Sequence, residues 1–230
     1  MTLHRFFVEP DEMAGARFPL PVSIERQVRA VLRLRDGDRL VLLAGDGSEA
    51  VCRLDAGGCV VEERRAAGGE PRHRLTIVQA LLKGDALERV VRHGTEVGIA
   101  AFQLVVTERC IVRDLPPRRL ERLRTIAREA AEQSERSLLP EVLAPVPLAE
   151  ALAPGSVLLF ERDGGERLGR VEPPPSVVVI GPEGGFTPAE VQAASDAGAT
   201  LAGLGPRILR SETVAPAAAA VILSRTGDFA

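Results

Sequence analysis

The chain has no tryptophan, no tyrosine and no asparagine, and Lys83 is the only lysine among its 29 basic residues. Without Trp or Tyr, any surface that stacks on nucleobases must use phenylalanine rings or arginine planes. The missing asparagine and the preference for arginine fit a GC-rich coding bias, or thermophily, since asparagine is thermolabile; neither bears on activity. Cys52, Cys59 and Cys110 are odd in number and lack the paired spacing of metal ligands, and His4, His73 and His93 do not cluster with them, so no metal is expected. Reduced thiols fit a cytosolic protein. No basic-then-apolar leader opens the chain, and no run approaches the roughly 20 apolar residues that cross a bilayer, so the expectation is a cytoplasmic protein with no membrane partner. Nor does a Gly-x-Gly-x-x-Gly follow an early strand, which leaves a dinucleotide site or a Rossmann-type methyl-donor site little support.

What is present is a chain of 230 residues, 45% apolar, enough for one large or two small domains with a proper core. The formal charge of −3 excludes a wholly basic nucleic-acid binder but is compatible with a local arginine face.

Two patterns divide the chain. Up to about Arg65, short strands at Arg5 to Val8, Arg39 to Leu43, Ala50 to Leu54 and Cys59 to Glu63 are separated by glycine turns, which suggests a small, largely antiparallel barrel. Within it, Ile24 to Leu34 has helical period and sets Arg26, Arg29 and Arg33 on one stripe, either a solvated face or a phosphate-binding one. Ala66 to Pro71 reads as a linker, giving domains 1–70 and 71–230. Beyond it, strands at Leu75 to Leu82, Phe102 to Thr107, Ser156 to Phe160, Val177 to Gly181 and Thr200 to Leu204 alternate with helices at Ala86 to Val97, Pro117 to Ser137, Pro188 to Ala197 and Glu212 to Arg225. That alternation indicates an α/β domain with a parallel sheet covered on both faces. The proline-rich patches Leu139 to Pro147 and Pro173 to Pro175 read as loops.

Two glycine-bearing stretches fall at the carboxyl ends of strands, where α/β folds bind ligands. Ile180-Gly-Pro-Glu-Gly-Gly-Phe186 allows close approach of its backbone to a ligand, and Thr187, Pro188 and Glu190 after it form a capping box that starts the next helix. Leu204-Gly-Pro-Arg-Ile-Leu-Arg-Ser-Glu-Thr213 gathers Arg207, Arg210, Glu212 and Thr213 beside a second turn, with Ser211 placed to cap the last helix. Either stretch alone is a common structural turn; together they mark a pocket.

With these stretches the chain resembles the RsmE family of SPOUT methyltransferases, which methylate N3 of a uridine in 16S ribosomal RNA. Val31-Leu-Arg-Leu34, Thr95-Glu-Val-Gly-Ile99, Thr107-Glu-Arg109 and Glu129 to Arg136 with Pro140 extend the match over nearly the whole chain, in order. Gln27 and His93 stand where relatives often carry histidine and lysine, and Pro216 lies near a helix start, where it is tolerated.

The resemblance implies an N-terminal PUA-like β-barrel that binds RNA, a C-terminal domain with a deep trefoil knot, and a homodimer acting on 16S rRNA or the 30S subunit. It implies S-adenosyl-L-methionine as cofactor, clasped by Ile180, Gly181, Pro182, Glu183, Gly184 and Gly185 and by Leu204, Gly205, Ile208, Leu209 and Thr213. Arg210 is expected to stabilise charge on the uracil carbonyls, with Glu212 as general base or as an orienting partner. RNA contacts are expected from Arg5, Arg26, Arg29, Arg33, Arg109, Arg113, Arg118, Arg119 and Arg207. The alternatives are a SPOUT enzyme acting on another RNA position, such as a ribose 2′-hydroxyl, and a non-catalytic RNA-binding assembly factor.

Overall fold

The computed structural model describes residues 3–159 and 165–229. They form two compact units, one of residues up to 70 together with 131–139, the other of residues 71–130 and from 140 on. Residues 131–139, which the linker position assigns to the second domain, thus pack with the first. Among the described residues no helix is long and apolar enough to cross a membrane, and no group of His, Cys, Asp or Glu could hold a metal ion. All three cysteines are free and buried.

The first unit carries strands β1 (His4–Phe7), β2 (Arg17–Phe18), β3 (Arg39–Leu43), β4 (Ser48–Asp55) and β5 (Gly58–Ala66) in one sheet, ordered β1-β3-β4-β5-β2. β1 runs parallel to β3 and the other pairings are antiparallel. Side chains alternate across a strand, so Leu40 and Leu42 enter one cluster with Phe6, Phe18 and Val28, while Val41 and Leu43 enter another with Phe7, Val51 and Ala131. Both faces are covered, which is why Leu40 to Leu43 reads as an unbroken apolar run. An ion cluster fixes the same sheet: the buried Glu49 carboxylate accepts from Arg5 Nη1 and Arg65 Nε, each at 2.6 Å. Burial penalises the charge on Glu49, but these two guanidiniums outweigh it and hold the carboxyl below its usual range.

The expected helix over residues 24–34 is only partly formed. Helix α1 (Val22–Arg26) passes into a π turn at Gln27–Val31, closed by a 2.9 Å bond from Leu32 N–H to the Gln27 carbonyl. The wider turn shifts the phase, and Arg33 falls beyond it with φ 58°, so Arg26, Arg29 and Arg33 do not share the stripe that regular helical spacing gives.

The second unit holds β6 (Thr76–Ala80), α2 (Ala86–Val97), β7 (Ala101–Val106), most of α3 (Pro117–Gln133), β8 (Glu141–Pro147), α4 (Leu148–Ala151), β9 (Val157–Leu159), β10 (Glu166–Arg167), β11 (Val177–Ile180), α5 (Pro188–Asp196), β12 (Thr200–Gly203) and α6 (Ser211–Arg225). Among the described residues its seven strands are all parallel, in the order β10-β12-β9-β11-β6-β7-β8. The inner strands are apolar and β-branched because helices cover both faces. Phe160, the expected end of β9, lies outside the described residues.

Two elements differ from the sequence pattern. Leu139 to Pro147 is a strand over most of its length rather than a loop. β8 sits at the sheet edge, where Pro145 and Pro147 need donate no ladder hydrogen bond, and its register against β7 shifts between Gln103 and Val105. α3 ends at Gln133, short of Ser137. Glu135 turns left-handed at φ 59° and Arg136 N–H bonds the Ala131 carbonyl at 2.9 Å, the reversal that closes many helices. α6 runs unbroken through Pro216.

Candidate functional site

β11 and β12 flank β9 in the sheet, and the two glycine stretches leave their carboxyl ends. They enclose a half-open cavity of about 290 Å³ above the end of β9, lined by Leu159, Ile180, Phe186, Ile208, Leu209 and Val214 together with Gly181, Pro182, Gly184 and Gly185 of the first loop and Leu204 and Gly205 of the second. This is the edge at which parallel sheets bind ligands. Gly185, at φ 67°, and Gly205, at φ 113°, have left-handed backbones, and a Cβ built on either meets no protein atom within 4 Å. Both therefore turn bare backbone outward. Behind the first loop, Thr187 and Glu190 form the expected capping box, with Thr187 N–H to Glu190 Oε2 at 2.8 Å and Glu190 N–H to Thr187 Oγ1 at 3.2 Å.

A third loop, between β7 and α3, completes the wall. Glu190 also accepts Glu108 N–H at 2.7 Å, and Arg109 donates to the Gly184 carbonyl at 3.0 Å, so α5's cap braces both loops. From below, the buried Cys110 thiol accepts Thr107 N–H at 3.3 Å and donates to the Leu81 carbonyl at 3.6 Å. Arg109, expected to meet RNA, is thus part of the cavity lining, as is Arg207.

Not every expected cofactor residue faces the cavity. Glu183 points to the β6–α2 turn, where its Oε1 accepts Lys83 N–H at 3.2 Å, and the Thr213 side chain is exposed one residue past Glu212; neither is part of the lining. Leu159 and Val214 are lining residues outside both stretches, and Phe186 and Ser211 are lining residues within them that are not singled out as donor contacts. Leu159 could not be found locally, since β9 joins the site only through strand order.

Arg210 and Glu212 stand at the start of α6. Arg210, not Ser211, is the N-cap, without a side-chain capping bond. Its guanidinium is 86% exposed and lies 4.0 Å from Glu212, which is 16% exposed. The same Glu212 oxygen, Oε1, also meets Arg89 of α2 at 3.5 Å, and Arg89 pairs with Asp85 at 2.6 Å. The spacing of Asp85 and Arg89 on a helix is visible in sequence; the contact with Glu212, 123 residues away, is not.

The remaining arginines separate by environment. In the first unit, Arg5 is consumed by Glu49 and by Glu135 at 3.2 Å, and Arg29 clamps the Leu34 and Asp55 carbonyls and Asp36, so both hold the unit together, whereas Arg26 and Arg33 are exposed. In the second, Arg113 donates to the Glu108 carbonyl at 3.2 Å, Arg119 donates to the Gly84 carbonyl, and Arg118 is exposed. Arg118 and Arg119 line an open groove with Arg92 and Arg122. There the two-point bond from Arg122 holds the Glu88 carboxyl below its usual range.

A model of the RNA methyltransferase domain family matches residues 69–223. Ribosomal RNA small subunit methyltransferase E of Synechocystis sp. is 33% identical over 95% of this chain and 77% of its own length. The protein of that name from Bacillus subtilis is 32% identical over 92% of both chains. Among solved structures, ribosomal RNA small subunit methyltransferase E from Neisseria gonorrhoeae bound to S-adenosyl methionine superposes with a TM-score of 0.89 at 31% identity, covering 97% of this chain and 98% of that one.

Proposed function

Because the chain belongs to the RNA methyltransferase family, among the ribosomal RNA small subunit methyltransferase E proteins, we propose that it transfers a methyl group from S-adenosylmethionine to N3 of a uridine in 16S ribosomal RNA. The observation that carries this reading is the cavity over β9. Its apolar walls Leu159, Ile180, Phe186 and Val214 suit a flat base, and the outward backbone of the two loops offers N–H and C=O groups without obstructing side chains. The residues present therefore fit the donor. Ile180, Gly181, Pro182, Gly184 and Gly185 would hold it from one side, and Leu204, Gly205, Ile208 and Leu209 from the other. S-adenosylmethionine, when bound, supplies an electrophilic methyl carbon on a sulfonium.

The chain's own contribution is position and charge. Removing the N3 proton spreads negative charge over the two flanking carbonyl oxygens of the uracil, and Arg210, between the lining residues Leu209 and Ser211 and with an exposed guanidinium, would meet it. Holding N3 in line with the donor carbon lowers the barrier by several kcal/mol. Glu212 Oε1 already has two guanidinium neighbours, which favours the orienting role over that of general base; solvent then takes the proton. Arg109 and Arg207, in the cavity lining, contact donor or RNA; Arg26, Arg33 and Arg118 contact phosphates.

The same reading makes the second unit a SPOUT domain with a deep trefoil knot and the first a PUA-like RNA-binding barrel, and places the protein in the cytoplasm on 16S RNA or the 30S subunit. A homodimer fits the exposed Ile208 at the cavity rim, an apolar side chain a partner would cover. Incubation with labelled donor and small-subunit RNA, followed by digestion to nucleosides and mass analysis, tests the reaction. Label in 3-methyluridine is expected. Label on a ribose, or none, overturns it.

A further inference from the structure

Arg89 bridges the starts of two helices. Its Nη1 lies 2.6 Å from Asp85 Oδ2, and its Nη2 lies 3.5 Å from Glu212 Oε1. Asp85 is 70% exposed, so that contact is an ordinary surface helix pair of little consequence. Glu212 is 16% exposed and sits where α6 presents its unpaired N–H groups, a position that favours negative charge. The carboxylate's remaining contact is Arg210, at 4.0 Å. Among the described residues, the Arg210 guanidinium has no hydrogen bond and no other ion pair. Glu212 Oε1 is thus shared between the Arg89 guanidinium on α2 and the exposed Arg210 guanidinium next to the cavity lining.

We propose that Arg89 is a positioning residue for methyl transfer: by holding Glu212 from the α2 side, it keeps that carboxylate from closing fully onto Arg210 and leaves the Arg210 guanidinium turned toward the substrate. Without Arg89, Glu212 has one cationic neighbour instead of two. The full ion pair with Arg210 then forms, and the group meant for the uracil carbonyls is withdrawn and neutralised. The inference rests on the role proposed for Arg210. It concerns orientation at the rim, so donor binding in the cavity is untouched.

The test uses the full chain, with Arg89→Ala, Arg89→Lys, Asp85→Asn, Glu212→Gln and the double variant Arg89→Ala/Glu212→Gln. Arg89→Ala lowers kcat about 10- to 100-fold, the range expected when a reacting group is misplaced by about an ångström. Its donor affinity by calorimetry and its RNA affinity at fixed salt stay within about twofold of wild type, a marker of intact binding well under the tenfold that 1.4 kcal/mol gives. Arg89→Lys, which keeps the charge, recovers most of the rate, and Asp85→Asn leaves it unchanged. The double variant is no slower than Glu212→Gln alone, because Arg89 acts through Glu212. Wild-type kcat in Arg89→Ala overturns the inference, as does an equal loss in Asp85→Asn, which would mean that the start of α2 merely needs its surface pair. Additive losses in the double variant also overturn it. Each of these leaves the methyltransferase reading standing. A wild-type chain that transfers no methyl group overturns both.

Discussion

Gly185→Ala separates what the first loop does for folding from what it does for the donor. Gly185 has φ 67°, and Gly155, two residues before β9 at the opposite edge of the same sheet, has φ 79°. A Cβ on either meets no protein atom within 4 Å, so neither substitution creates a clash and each costs only the left-handed backbone, about 1–2 kcal/mol. For a chain of this size about 1 kcal/mol lowers Tm by roughly 2–4 °C, so both variants should melt about 2–8 °C below wild type. The methyl group that Gly185→Ala adds, unlike the one that Gly155→Ala adds, enters a cavity of about 290 Å³ that the donor must share. Losing one backbone hydrogen bond to the donor costs about 1 kcal/mol, and therefore about fivefold in affinity, with steric displacement adding to it. Titration calorimetry with S-adenosylmethionine, beside thermal melts of both variants, reads the two effects separately. Wild-type donor affinity in Gly185→Ala, or equal weakening in Gly155→Ala, would refute the assignment of this loop.

Glu49→Gln should destabilise the first unit by about 3 kcal/mol at neutral pH, since it breaks a buried ion cluster and leaves the largely buried Arg5 with only the half-exposed Glu135 carboxylate. Glu49's folded pKa is lowered from 4.5, so its contribution is fully present above about that pH and is lost as pH falls through the folded value; the melting gap between wild type and variant must narrow on acidification. A gap that stays constant down to pH 3 would contradict the ion cluster's role. Arg33→Ala should reduce the salt slope of RNA binding by about 1, the share of one phosphate contact, with little change in Tm. Arg29→Ala, which cuts the clamp on Leu34, Asp36 and Asp55, should show the reverse. Arg210→Ala should lose about 10²-fold in kcat while keeping donor affinity, as expected for a group that stabilises developing charge; full turnover would exclude Arg210 from the chemistry.

How much of this was legible in sequence depends on how local the cause is. α2 was readable to the residue because its apolar period and its closing Gly98 lie within the segment, and the start of α5 because Thr187, Pro188 and Glu190 are adjacent. β8 was hidden, since its prolines argue against a strand unless it is known to lie at an edge, and edge position is set by the whole strand order. The π turn was hidden because the residues of 24–34 carry an ordinary helical period, while Arg29's partners lie as far on as Asp55. At the site, the loops announced themselves through glycine and charge. Leu159, Arg89 and the second use of Glu190 did not, because each is recruited by a partner distant in sequence, and Val214 did not because it lies one residue past the motif, on the first turn of α6.

The central claim is methylation at N3, and reverse transcription of reacted 16S RNA tests it most directly. A methyl group on N3 blocks the Watson–Crick edge of the base, whereas one on the ribose oxygen leaves pairing intact. The account predicts a single stop, one nucleotide 3′ of a uridine, that requires both protein and S-adenosylmethionine and grows with incubation. Methyl label entering the RNA without any such stop would contradict it.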